Sequence, residues 1–215
     1  MEYTKIFYRD DLLENNAVSK ATDILHELQN IISDKNALLI GDRDDVLDLL
    51  DNGKLYYAVP QTHELVVWPK IRPFRTVAVD VNALPFAPGT FYTVVINHYL
   101  EFSHKNTKFL SEVFRILKRD GKLITIAHNS RNLPGKTRSI KEIVSDITEA
   151  SFHLSNICGI SKNAGLPSYS FNYDQNKFSK ILLGPLCLFS DIVILTADKT
   201  DVVADLVPIF EERYV

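Results

Sequence analysis

The stretch from Arg75 to Ile126, RTVAVDVNALPFAPGTFYTVVINHYLEFSHKNTKFLSEVFRILKRDGKLITI, leaves the chain few ways to fold. An apolar run around Val77 and Val79 stops at Asp80, and a second run, Val94-Val95-Ile96, stops at Asn97-His98. Leu110, Val113, Phe114 and Leu117 then recur at helical spacing, and Asp120-Gly121 turns the chain into a third run, Lys122 to Ala127. Strands that are apolar throughout, separated by a helix, belong to a parallel sheet covered on both faces. In such sheets ligands gather outside the carboxyl ends of the strands, where Asp80, Asn97, His98 and His128-Asn129 fall.

Four local patterns in this stretch have a familiar form. Asp80 to Phe86, DVNALPF, looks like the acidic loop D-A-x-x-L-P-F, and Phe91 to Val95, FYTVV, looks like F-D-x-V-V with Tyr92 in place of the acid. Leu100-Glu101-Phe102 resembles the L-E-H that follows, and Glu112 to Gly121, EVFRILKRDG, resembles E-x-x-R-V-L-K-P-G-G. In this order and spacing they resemble class I S-adenosylmethionine-dependent methyltransferases. The resemblance implies an α/β, Rossmann-like fold with a mostly parallel seven-stranded sheet and helices on both faces. It implies S-adenosylmethionine as cofactor and a small molecule or a protein as methyl acceptor. A single domain, 1–215, is expected, with 1–34 as an N-terminal helical cap.

The resemblance also distributes roles. Asp80 would accept from the adenine amino group while the backbone N–H of Val81 donates to the ring; a carboxylate ending a strand also serves as a turn cap, and both readings stand. Gly41 and Asn97 would line the cofactor's path, and Tyr8, of the pair Phe7-Tyr8, would close over it or simply pack the helix entrance. His98 and His128 are candidate bases or walls of the acceptor site, with no catalytic residue assigned.

Two departures run against the pattern. After the first strand, Ala37 to Gly41, small residues are expected because the backbone passes close to the cofactor. The chain instead has Asp42-Arg43-Asp44-Asp45, with Asp42 a candidate N-cap for a helix from Asp44 to Leu50. The second strand, Lys54 to Pro60, lacks the acid that binds the ribose hydroxyls. A short extra strand, His63 to Pro69, makes the chain similar to a bacterial, methyltransferase type 11-like branch in which both features are degenerate; Trp68 within it is read as filler under a loop or as a ligand-stacking ring. These departures keep open an alternative, a non-catalytic binding or scaffold protein that has lost its cofactor. The absence of any G-x-G-x-x-G argues against a third reading, a dinucleotide-dependent oxidoreductase.

Elsewhere, Val18, Ala21, Ile24, Leu25, Leu28 and Ile31 line one face of a helix from about Asp11 to Ile32. His128 to Gly135 is a polar loop placed for substrate contact, and Ser139 to Glu142 reads as a capping box opening a helix through Ala150. Strands are expected over Phe152–Ile160 and Phe189–Thr196, with a short helix after Asp201. Segment 161–180 sets Tyr169, Phe171, Tyr173 and Phe178 among polar residues, and is read as an inserted lid or as the contact of a homodimer.

A net charge of −3 argues against a broad nucleic-acid-binding surface. Cys158 and Cys187 match no metal or redox spacing, so buried free thiols and no metal site are expected. No signal core opens the chain, and the run from Ile181 to Ala197 is broken by Gly184, Pro185, Ser190 and Asp191, so a cytoplasmic protein without membrane contact is expected.

Overall fold

The structure, a computed structural model, describes residues 30, 36–41, 55–60, 76–103, 106–129, 137–160, 169–172 and 190–200. Its frame is an eight-stranded sheet: β1 (Ala37–Gly41), β2 (Leu55–Pro60), β3 (Thr76–Val79), β4 (Phe91–Asn97), β5 (Leu117–His128), β6 (Phe152–Ile160), β7 (Tyr169–Asn172) and β8 (Ile192–Lys199). The order across the sheet is β3-β2-β1-β4-β5-β8-β6-β7. β3 through β5 in this order are parallel, whereas β8 runs antiparallel between β5 and β6. The seven expected strands are all present, and the sheet is mixed but mostly parallel, as the class requires. The eighth, β7, pairs antiparallel with β6 at the edge and comes from the segment read as a lid or contact.

Two described helices, α1 (Thr107–Ile116) and α2 (Ile140–Glu149), pack on one face of the sheet. On α1 the buried positions Phe109, Leu110, Val113 and Ile116 form one stripe, and on α2 Ile140, Ile143, Val144 and Ile147 form another. Each large side chain so removed from water contributes roughly 1.5–3 kcal/mol. They meet Leu38 and Ile40 of β1, Val94 and Ile96 of β4, and Leu123 of β5. The alternate residues, Leu39, Val95, Ile124 and Ile126, are equally buried on the opposite face, which is why these strands read as apolar runs. α2 opens on the expected capping box: Glu142 N–H donates to the Ser139 hydroxyl, and Ser139 N–H donates to the Glu142 carboxylate.

Three boundaries differ from the sequence expectation. β8 begins and ends three residues later than Phe189–Thr196. β4 starts at Phe91, ahead of the apolar run itself. The turn at Asp120-Gly121 lies inside β5 as a bulge: Leu117 pairs with Phe91 and Lys122 with Thr93, with Asp120 at φ 59° absorbing the excess chain. The helices expected at 11–32, 44–50 and after 201, the strand at 63–69 with Trp68, the loop 130–136, Cys187 and most of 161–180 lie outside the described residues. Cys158 is a buried free thiol, as expected.

Candidate active site at the carboxyl edge of the sheet

β1, β4 and β5 end side by side, with Gly41 in register with Asn97 and Asn97 with Ile126. Gly41 adopts φ 116°, and a Cβ there would come 2.1 Å from the Asn97 carbonyl oxygen. The position therefore requires glycine for a reason inside the sheet, before any ligand is considered. Asn97 is fully buried.

His98 leaves β4 at φ 47°, while its N–H continues the ladder by donating to Ile126 O at 2.9 Å. The left-handed turn swings the chain back, and the apolar Tyr99 and Leu100 anchor it in the core. Glu101 is thereby carried inside, at 0% exposure. Its Oε1 receives His128 N–H at 3.0 Å and lies 3.3 Å from His98 Nδ1 and 3.2 Å from His128 Nδ1. The two imidazoles stack, centroids 3.8 Å apart and 24° from parallel. Burial alone would raise the Glu101 pKa, but hydrogen bonds from His128 and His98 and the charge of His98 outweigh it and bring it down to about 2. An ionised carboxylate only accepts, so both contacts to Oε1 place a ring proton on Nδ1, while His128 Nε2 is closed off from solvent. Among the described residues, Glu101 Oε2 accepts no hydrogen bond.

These three residues lie close enough for their ligating atoms to reach one ion. The ring geometry argues against that use. A metal about 2.0–2.1 Å from a nitrogen must lie near the ring plane. Between nearly parallel rings it would sit off each plane by roughly half their 3.8 Å separation, away from both lone pairs.

A second polar cluster holds this turn in place. Asn106 Nδ2 donates to Leu100 O at 3.2 Å and to Asp146 Oδ2 at 3.1 Å. Asp146 also pairs with Arg138 through both of its oxygens, and this hydrogen bond raises the guanidinium pKa. Arg138 N–H in turn donates to Glu101 O at 2.9 Å, so α2 and the His98–Glu101 turn share one network.

The acidic loop after β3 is held from α1. Asp80 is exposed at the strand end, where its Oδ1 accepts from Asn82 N–H at 2.9 Å and its carbonyl from Ala83 N–H at 3.0 Å. Val81 and Leu84 point into the core. Glu112 Oε2 accepts Leu84 N–H at 2.9 Å, and Arg115 donates to Leu84 O at 2.9 Å and Phe86 O at 2.8 Å while pairing with Glu112. The Arg115 hydrogen bond holds the Glu112 carboxyl below its ordinary pKa. This is the physical content of the E-x-x-R pattern: two residues one helical turn apart grip the backbone of the acidic loop.

Of the residues singled out from sequence, Gly41, Asn97, His98 and His128 come together on one edge, and Asp80 and Val81 stand at the end of β3 on the same edge. Tyr8 lies outside the described residues. At the end of β2 the acid's place is held by Pro60, which is buried. Sequence reading missed Glu101, Glu112 and Arg115 as working residues. Glu101 carried a signal, an acid set between the buried Leu100 and the apolar Phe102, since acids are almost never fully buried without partners.

Residues 46–125 match the family model for a methyltransferase domain. No curated protein matches the sequence. Among solved structures, a SAM-dependent methyltransferase from Aquifex aeolicus aligns with a TM-score of 0.58 at 13% identity, covering 83% of this chain and 89% of that one. A SAM-dependent methyltransferase from Thermotoga maritima, described as a possible histamine N-methyltransferase, aligns with a TM-score of 0.53 at 13% identity, over 85% and 96%. Geranyl diphosphate C-methyltransferase from Streptomyces coelicolor, solved with Mg2+, geranyl diphosphate and S-adenosyl-L-homocysteine, aligns with a TM-score of 0.52 at 13% identity, over 83% and 78%. The family match thus covers a methyltransferase domain over part of the chain, and the fold is the one that solved SAM-dependent methyltransferases share. Among the described residues no helix is long and apolar enough to cross a membrane.

Proposed function

We propose that the chain is an S-adenosylmethionine-dependent methyltransferase that delivers a methyl group to a small-molecule or protein acceptor at the carboxyl edge of β4 and β5. The observation that carries this reading is the coincidence of the methyltransferase-domain match with a sheet whose switch-point edge gathers Gly41, Asp80, Asn97, His98 and His128.

The residues present fit the cofactor. Gly41 adds no side chain at the carboxyl end of β1, and the exposed Asp80 carboxylate has capacity beyond its bond from Asn82. Asp80 and the Val81 N–H would hold the adenine, and Asn97 and Tyr8 are the other cofactor-binding residues of this reading. Since Pro60 offers no carboxylate, the ribose hydroxyls would find their partners elsewhere. When bound, the cofactor supplies an electrophilic methyl group on a sulfonium. The protein's task is then to place the acceptor's nucleophilic atom in line, which needs positioning more than catalytic groups. The single domain 1–215, with 1–34 as a cap and 161–180 as a lid or dimer contact, belongs to the same reading.

Calorimetric titration with S-adenosyl-L-homocysteine tests it. One-site binding is expected, and Asp80→Ala is expected to lose about 1–3 kcal/mol of affinity with the fold intact. Unchanged affinity in that variant would leave Asp80 a turn residue only. No binding to the native protein would favour the non-catalytic scaffold.

A further inference from the structure

We propose that Arg138 and Asp146, working through Asn106, are positioning residues of the ligand site: their ion pair fixes the turn 98–101 and thereby sets how tightly the carboxyl edge holds its ligand. The inference rests on the function proposed above, because this turn follows Asn97 and begins with His98, two of the residues gathered at that edge.

The turn needs holding from outside. His98 opens it at φ 47°, a left-handed conformation that is costly for a residue with a Cβ and persists only where the surroundings over-determine it. Tyr99 and Leu100 are buried and Glu101 fully so, and the turn's backbone carbonyls need donors from within the protein. Leu100 O accepts from Asn106 Nδ2 at 3.2 Å, and Glu101 O accepts from Arg138 N–H at 2.9 Å. Both donors are tied to one carboxylate. Asp146 Oδ2 accepts from the same Asn106 Nδ2 at 3.1 Å, and Asp146 meets the Arg138 guanidinium with both oxygens, Nη2 to Oδ1 at 3.0 Å. A carboxylate paired with a guanidinium only accepts, so Asp146 also decides which way the Asn106 amide faces, with its nitrogen toward Leu100 O.

Asn106 shows that the arrangement serves the turn more than the helix it opens. It stands at the N-cap of α1, where asparagine ordinarily accepts an N–H of the first turn with its side-chain oxygen. It makes no such bond. Its Nδ2 is given to Leu100 and Asp146, and among the described residues its buried Oδ1 has no partner. The helix forgoes a cap and a buried acceptor goes unmet, two costs borne where the turn is held. The Arg138–Asp146 pair is largely buried as well, and in such a pair desolvation offsets most of the attraction, so its contribution is geometric definition more than stability. That geometry reaches the site along the chain. Leu100 and Glu101 follow directly on Asn97-His98-Tyr99, and Glu101 Oε1 accepts His128 N–H at 3.0 Å at the end of β5. Releasing the clasp lets the His98 backbone leave its left-handed well and shifts both strand ends together.

Calorimetry with S-adenosyl-L-homocysteine and amide hydrogen exchange on the full chain test this in Arg138→Lys, which keeps the charge but not the two-pronged geometry. Expected is an affinity lower by about threefold or more. The amides of His98, Phe102 and His128, bonded to Ile126 O, Tyr99 O and Glu101 Oε1, should exchange faster while those inside β1 and α1 keep their protection. Asp146→Asn should do the same, and the double variant should lose no more affinity than the weaker-binding single variant, because the two residues act as one unit. A pair with a purely structural role would speed exchange everywhere in step and leave affinity unchanged. Unchanged affinity, uniform acceleration or additive losses in the double variant would each overturn the proposal. If Asp146→Asn does not fold, affinity and exchange in Arg138→Lys decide it. Failure of the native protein to bind S-adenosyl-L-homocysteine would instead strike the cofactor reading, and local against uniform exchange in Arg138→Lys would still decide whether the clasp holds the turn.

Discussion

Gly41 and Glu101 show how single residues set this site. Replacing Gly41 by alanine forces a Cβ into the Asn97 carbonyl at a left-handed φ, so Gly41→Ala should destabilise the fold by about 2–4 kcal/mol in denaturant titration. Glu101 predicts an acid sensitivity. Its folded pKa, about 2, lies below its unfolded value near 4.5, so the native state binds this proton less readily than the unfolded chain. The stability it contributes is complete above about pH 4.5 and is lost as pH falls toward 2. A loss on the order of 3 kcal/mol over that window is expected in urea melts, and should be absent in Glu101→Gln, which is less stable at neutral pH. His98 and His128 were visible as polar residues ending strands. Their stacking was not, because residues thirty apart in sequence meet only through the β4–β5 pairing and the positive φ of His98, neither of which a sequence pattern encodes.

At the scale of elements, the acidic loop depends on α1 more than on its own turn. Arg115 and Glu112 hold Leu84 and Phe86 by backbone hydrogen bonds, whereas within the loop the Asp80 side chain holds Asn82. Arg115→Ala should therefore cost about 1–2 kcal/mol of stability and also weaken S-adenosyl-L-homocysteine binding, although Arg115 touches only the loop. Chemical denaturation and calorimetry together check this; a stability loss with affinity unchanged would mean that the clamp is structural only. The strands β1, β4 and β6 and helices α1 and α2 were legible because each buries a stripe or run whose period matches its geometry. β7 was not. YSFN mixes aromatic and polar residues too briefly to show a period, and only the free edge of β6 made it a strand.

For the whole molecule, the topology accounts for the convergence of distant residues. A parallel sheet sends every connection from a carboxyl end, so Gly41, Asp80, Asn97 and His98 share one edge, and β5 adds His128 beside them. A ligand bound at that edge stabilises only the folded state. S-adenosyl-L-homocysteine at a hundred times its dissociation constant should add about 2.7 kcal/mol, seen as a higher Tm, and an unchanged Tm at millimolar ligand would count against binding. The most direct measurement is an amide NMR titration of the 15N-labelled chain with S-adenosyl-L-homocysteine. The expected result is saturable shifts centred on Gly41, Asp80 to Phe86 and Asn97-His98, with β7 and α2 little changed. Shifts absent at saturating concentration, or centred away from the carboxyl edge of β1, β3 and β4, would contradict it.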